Sequence, residues 1–334
     1  MIAAVLATIL LPATSDQLPS QPFFASDSVF EVTVRANLRQ LLRDRDPDTN
    51  IWREGTMLWR DGDSTRAIRT RLRTRGLYRL RECDFPPLRL RISQEDARGT
   101  IWANIRRPKL VTHCEDNGSS EQQLLQEYAI YRVLRLLTPV TFQARLLRVT
   151  YEDSAGQRRP VTRYGIVTED PERLFDRLGG NGLEQQGVGF VQLNPGNVAL
   201  LSVFQYFIAN TDWSLPGLHN IQLVRLADGL YAMPYDFDWA GTIGAPYARP
   251  AAILPIRSVR ERIWRGPCLS AAQLEPTLAR FEQLRDSIQA VYGAIPGLEP
   301  GLAERARRYN QEFFDAIRDR ARFEQRVVRP DCIR

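Results

Sequence analysis

Lys109-Leu-Val-Thr-His-Cys-Glu-Asp-Asn-Gly-Ser-Ser-Glu-Gln-Gln-Leu-Leu-Gln-Glu127 carries a short apolar strand, a turn and the start of a long helix in succession. Lys109 to Thr112 has strand composition, and Asn117-Gly118 turns the chain. Ser120 followed by Gln123 has the spacing of a capping box. Leu124, Leu125, Tyr128, Tyr131, Leu134 and Leu137 then recur at helical spacing until Thr138-Pro139 stops the helix. Glu127 falls on a flank of that apolar stripe, able to point inward. Lys109 is also the only lysine among 45 basic residues. A compact ammonium does work that a planar guanidinium does badly, so a position that keeps Lys among arginines is a candidate for chemistry.

Strands flank this unit on both sides. Phe30 to Arg35 alternates apolar with polar residues. Ile68 to Arg75 alternates strictly, with Arg69, Arg71, Arg73 and Arg75 on one face. That face reads as a solvated sheet surface whose arginines meet acidic residues of a neighbouring strand; binding of phosphate or an acidic polymer is the sharper alternative. Leu88 to Ile92, Arg145 to Tyr151 and Val161 to Thr168 add further strands. Glu169-Asp170-Pro171 leads into a helix over Glu172 to Leu178 that ends at Gly179-Gly180. The rest is mainly helical: Asn197 to Ala209, Ala271 to Tyr292, and Gly301 to Val327. It is interrupted by one hairpin, Asn220 to Leu226 and Leu230 to Met233, turning at Asp228-Gly229.

The hairpin organises the acidic residues. Asp212 lies just past one helix, Asn220 opens the hairpin, and Asp236 and Asp238 follow its return strand. A hairpin brings its outer ends together, so Asn220 and Asp236 are expected to meet, with Asp212 in the adjoining loop. An amide oxygen with one or two carboxylates suits magnesium, which keeps waters and takes phosphates as further ligands. A nearby Asp can orient a nucleophilic hydroxyl.

The run from Arg75-Gly76 through Phe85-Pro-Pro-Leu-Arg-Leu, Lys109-Leu-Val-Thr-His-Cys114, Gln126-Glu127-Tyr128 and Tyr164 to Glu169 resembles the CotH-like (spore coat protein H type) atypical protein kinases. So do Asn210-Thr-Asp-Trp-Ser, His219-Asn220 and Tyr235-Asp-Phe-Asp238. The likeness covers roughly residues 30 to 265. It implies an α+β, two-lobed protein-kinase-like fold, with a β-rich N-lobe holding one main helix (29–170) and a mainly helical C-lobe (171–334). It implies Lys109 as the nucleotide-phosphate lysine with Glu127 as its partner, and Glu169 at the adenine hinge. Asp212 would be the catalytic acid, and Asn220 with Asp236 or Asp238 the ligands of magnesium or manganese. The chain has no Gly-x-Gly-x-x-Gly loop, no His-Arg-Asp and no Asp-Phe-Gly, which excludes an ordinary protein kinase.

The function expected on this basis is transfer of the γ-phosphoryl group of ATP or another nucleoside triphosphate to a hydroxyl on a protein. A non-catalytic binding or surface-assembly module and a metal-dependent phosphohydrolase are the alternatives. The net charge of +6 is too modest to make nucleic acid the expected partner. Residues 1–19 have the composition of a signal peptide and 20–28 of a linker. No integral membrane segment is expected in the mature chain. Four cysteines, Cys83, Cys114, Cys268 and Cys332, fit two disulfides in an extracytoplasmic protein, with three pairings open.

Overall fold

Side-chain alternation along the first half becomes a closed β-barrel in the computed structural model, which describes residues 22–46, 48–49 and 51–333. Its seven strands are β1 (Phe30–Ala36), β2 (Arg53–Asp61), β3 (Ser64–Thr74), β4 (Leu88–Ile92), β5 (Lys109–Val111), β6 (Ala144–Asp153) and β7 (Val161–Thr168). They run in the order β1-β2-β3-β4-β5-β7-β6. Neighbours are antiparallel except where β6 returns to β1, a parallel pairing from Phe30↔Leu147 to Ala36↔Asp153. That last pairing closes the sheet and leaves no unpaired edge.

Alternation decides what faces inward. Ile68, Thr70 and Leu72 of β3 are buried, while Arg69 and Arg71 are exposed. Val34, Met57, Leu88, Leu90, Leu110, Val149 and Val167 join Ile68 and Leu72 in the barrel core. Phe23 and Phe24, from the stretch expected as a linker, are buried in the same core, on the short helix Pro22–Ala25. The expected signal peptide, 1–19, lies outside the described residues.

The two-lobed kinase-like fold expected from the resemblance is overturned. Its β-rich half was to be a lobe with one main helix. Instead the strands close into a barrel, and the same half carries further short helices at Leu38–Leu41, Tyr78–Glu82 and Gln94–Ala97 besides the long helix Gly118–Leu137. The long helix does not belong to a separate lobe core. Leu125, Tyr128 and Ile130 share one apolar cluster with Phe207, Phe281 and Phe313 of the C-terminal helices. Period-two alternation marks a strand as half-buried but is silent on whether its sheet is open or closed. Closure here depends on β1 meeting a strand far along the chain.

Local expectations fared differently. The long helix is capped by Asn117, whose side chain accepts from the Ser120 amide, rather than by Ser120 itself. Asp170 caps the helix Pro171–Leu178, and Gly179, at φ 63°, ends it in the left-handed conformation that glycine adopts without strain. A small sheet, β8 (Asn181–Leu183), β9 (Ile221–Leu226) and β10 (Gly229–Pro234), contains the expected hairpin and packs beside the helix Pro195–Phe207. No helix among the described residues is long and apolar enough to cross a membrane.

Candidate functional site

The β9–β10 hairpin holds its outer ends together, with Tyr235 donating its amide to the Asn220 carbonyl at 3.1 Å. Around it Ala209, Leu218, Asn220 and Asp236 all have positive φ, four of the six such non-glycine residues described; Asn and Asp enter this region readily, whereas Ala209 and Leu218 are held there against their preference. Backbone held in that region by side chains that disfavour it concentrates where side chains must be aimed. Here the aim is shared. Asp212, Asn220, Asp236 and Asp238 line one cavity of about 430 Å³, together with His219, Tyr235, Trp239 and Arg75.

Within the cavity both oxygens of the Asp212 carboxylate are held. The Asn220 amide nitrogen donates to its Oδ2 at 2.9 Å and to its carbonyl at 2.8 Å. His219 Nε2 lies 2.9 Å from its Oδ1. The Asn220 nitrogen is thus spent on Asp212, leaving the amide oxygen without a hydrogen-bond partner among the described residues. Asp236 is held by its backbone, whose amide donates to the Tyr131 hydroxyl of the long helix at 3.0 Å.

Lys109 lines a second, tight recess with Arg75, Tyr131, Thr168, Tyr235 and Asp236. Arg75, Tyr235 and Asp236 line both spaces, so the recess and the cavity are neighbours that share one wall. As it stands it measures about 10 Å³, room for about one water. Lys109 Nζ sits 4.3 Å from the centre of the Tyr235 ring. Among the described residues it has neither an ion pair nor a hydrogen bond. Burial pulls it down to about 7, Arg75 adds to the shift, and Asp236 opposes it.

Glu127 does not pair with Lys109. It is buried against Arg79, at 3.2 Å, and the same guanidinium reaches Asp238 at 2.8 Å and Asp236 at 3.6 Å. Tyr247 also donates to Asp238, at 3.1 Å. One buried cation therefore faces three carboxyls. Burial raises Glu127 and Asp238 above the usual carboxylate range, despite Arg79. Asp236 falls below that range even though burial opposes it, because Arg79, Arg75 and Lys109 all face it.

No three His, Cys, Asp or Glu side chains among the described residues gather as a metal cage by themselves. Magnesium asks for less: one or two carboxylates, with waters and phosphates completing its shell. The ionised Asp236, the spare Asn220 oxygen and Asp238 fit that requirement. Glu169 lines neither space. Its carboxylate is buried against Arg177 at 2.9 Å and Arg173 at 3.3 Å, and its amide donates to the Gln143 carbonyl.

The sequence marks Arg75 only as one of four arginines on a strand face, and does not mark Arg79, His219 or Tyr247 as site residues. Nothing in composition separates Arg79 from 43 other arginines. His219, one of two histidines and adjacent to Asn220, carried a usable signal.

No protein-family profile matches the chain, and no curated protein matches it.

Proposed function

We propose that the chain is an extracytoplasmic phosphotransferase that moves the γ-phosphoryl group of a magnesium- or manganese-bound nucleoside triphosphate, ATP in the first instance, to a hydroxyl on a protein. The observation that carries this is the adjacency of two spaces: the chain's only lysine lines a recess that shares Arg75, Tyr235 and Asp236 with the cavity lined by Asp212 and Asn220. Lys109 and Arg75 would take phosphate oxygens. Asp236 and the Asn220 oxygen, with Asp238 behind them, would hold the cation, whose chemistry is to neutralise charge on the transferring group. Asp212, fixed by Asn220 and His219, would accept the proton of the acceptor hydroxyl. The two disulfides are compatible with an oxidising compartment. The likeness to CotH-like kinases is, within this reading, one of motif order and not of fold.

The Asp212–His219 contact favours one second reading, a phosphohydrolase in which the oriented imidazole activates water. Purified protein incubated with γ-labelled ATP, magnesium or manganese, and candidate acceptor proteins separates the two. Label on protein supports transfer, and label only in inorganic phosphate supports hydrolysis. Lys109→Ala and Asp212→Asn should each lower transfer by about 100-fold or more without a fall in melting temperature. Transfer that survives both substitutions overturns the mechanism. A melting temperature unmoved by magnesium and ATP would leave only a non-catalytic module.

A further inference from the structure

The outward face of β3 and β4 is a bed of arginines that the fold neutralises at one end only. Arg69 is ion-paired to Asp96 at 2.7 Å, and Arg71 to Glu54 at 2.7 Å. Further along the same face, Arg73 lies opposite Arg89, and Arg91 stands opposite Arg71. Arg89 in turn pairs in register with Lys109 of β5. Among the described residues Arg73, Arg75, Arg89 and Arg91 have no ion-pair partner. Arg73 Nε and Arg89 Nη1 are buried without a hydrogen bond. Like charges directly opposite on a sheet are destabilising, and an unsatisfied buried donor costs more still. A fold that accumulates both in one place has positive charge to spare for a ligand. Burial first, and then the neighbouring arginines, pushes Arg73 and Arg89 below the ordinary arginine range, with Asp170 opposing the shift at Arg89.

We propose that this face, from Arg75 past Arg89 and Arg73 to Arg91, is a docking track for an extended polypeptide segment carrying carboxylate or phosphate groups on alternate residues. Same-face residues of a strand recur about every 6.6–6.8 Å, the repeat of alternate side chains in an extended ligand peptide. Trp52 fixes the far end, with the Arg91 and Arg73 guanidinia 4.6 Å and 5.2 Å from its ring centre. Stacked this way, Arg91 and the outer nitrogens of Arg73 keep their donors for a carboxylate or phosphate. Arg75 fixes the near end, since it lines both the Lys109 recess and the Asp212 cavity. A closed barrel offers no edge for a peptide to extend the sheet, so recognition must come through side-chain charge. Nucleic acid is the poorer fit, because the unpaired stripe is short and stops at the Arg69 and Arg71 ion pairs.

The test needs neither nucleotide nor turnover, so its failure leaves the phosphotransfer reading untouched. Fluorescence anisotropy is measured with a labelled nine-residue peptide alternating Glu and Ala, and with its phosphoserine counterpart. The protein is wild type, Arg91→Gln, the double variant Arg89→Gln/Arg91→Gln, or Arg326→Gln, a remote exposed control; circular dichroism checks folding. Binding of either peptide by wild type and control, weakened about threefold by Arg91→Gln and about tenfold or more by the double variant, supports the track. Phosphoserine binding alone narrows the ligand to phosphate. No peptide binding, equal binding by the double variant, or tighter binding of a DNA oligonucleotide of matched charge overturns the proposal.

Discussion

Lys109 carries a charge that the folded chain leaves unpaired, and a buried charge without a partner is costly. Lys109→Met keeps the stem and removes the ammonium. It should raise stability by roughly 1–3 kcal/mol, read as an upward shift of the urea midpoint, while phosphoryl transfer is lost. Stability that falls instead would mean that the ammonium is satisfied in the fold. His113 gives the opposite lesson about burial. Its ring packs 4.9 Å from Phe85 and 5.8 Å from Tyr151, and Nδ1 has no hydrogen bond. Burial pushes it down to about 4; Asp116 opposes the shift and Arg163 adds to it. The unfolded chain therefore takes up this proton before the folded chain does. The stability that neutral His113 contributes is present above about pH 6.5 and is lost as pH falls toward 4, on the order of 3 kcal/mol in all. His113→Phe should remove that part of the acid sensitivity, measured as the difference between urea midpoints at pH 7 and pH 4.5.

Elements were legible in the sequence wherever one face is buried. Ile68 to Arg75 announced β3 because strict alternation has one structural meaning, and Pro171 with Gly179-Gly180 bracketed a helix by the two residues that start and stop one. That Asn220 and Asp236 line one cavity was legible because hairpin ends are constrained to approach each other. What escaped is set by pairing at a distance. Nothing local in Phe30–Ala36 says that it lies parallel to β6, and nothing in Tyr78–Glu82 says that Arg79 will intercept Glu127. Glu169 marks the same limit. The resemblance implies a hinge role for it; in the fold it stands at the end of β7 and clamps that strand to the following helix and, through its own amide and the Gln143 amide, to the start of β6. Removing one partner of a buried ion pair strands the others. Glu169→Ala should therefore cost about 3–5 kcal/mol, with nucleotide affinity of the folded fraction unchanged. Equilibrium unfolding together with nucleotide titration reads both, and a loss of affinity without loss of stability would return Glu169 to the site.

For the molecule as a whole, the cysteines left three pairings open, and the fold selects Cys83–Cys114 and Cys268–Cys332. The two bridges do different work. Cys268–Cys332 spans 64 residues, none of them a candidate-site residue, and lies beside the Pro267–Ile333 bridge. Cys83–Cys114 spans 31 residues and joins two parts of the candidate site. Cys83 ends the short helix that carries Arg79, and Cys114 follows the strand that carries Lys109. Loop-closure entropy grows only slowly with length, so paired Cys→Ser substitutions should cost about 2–4 kcal/mol at either bridge. Activity should tell them apart. At a temperature where both variants remain folded, Cys268→Ser/Cys332→Ser should transfer phosphate like the parent. Cys83→Ser/Cys114→Ser should lose transfer beyond its unfolded fraction, because Arg79 and Lys109 are no longer held in register across the carboxyl cluster. Equal activity in the two variants would mean that the barrel alone fixes that geometry, through the β4–β5 pairing of Arg89 with Lys109.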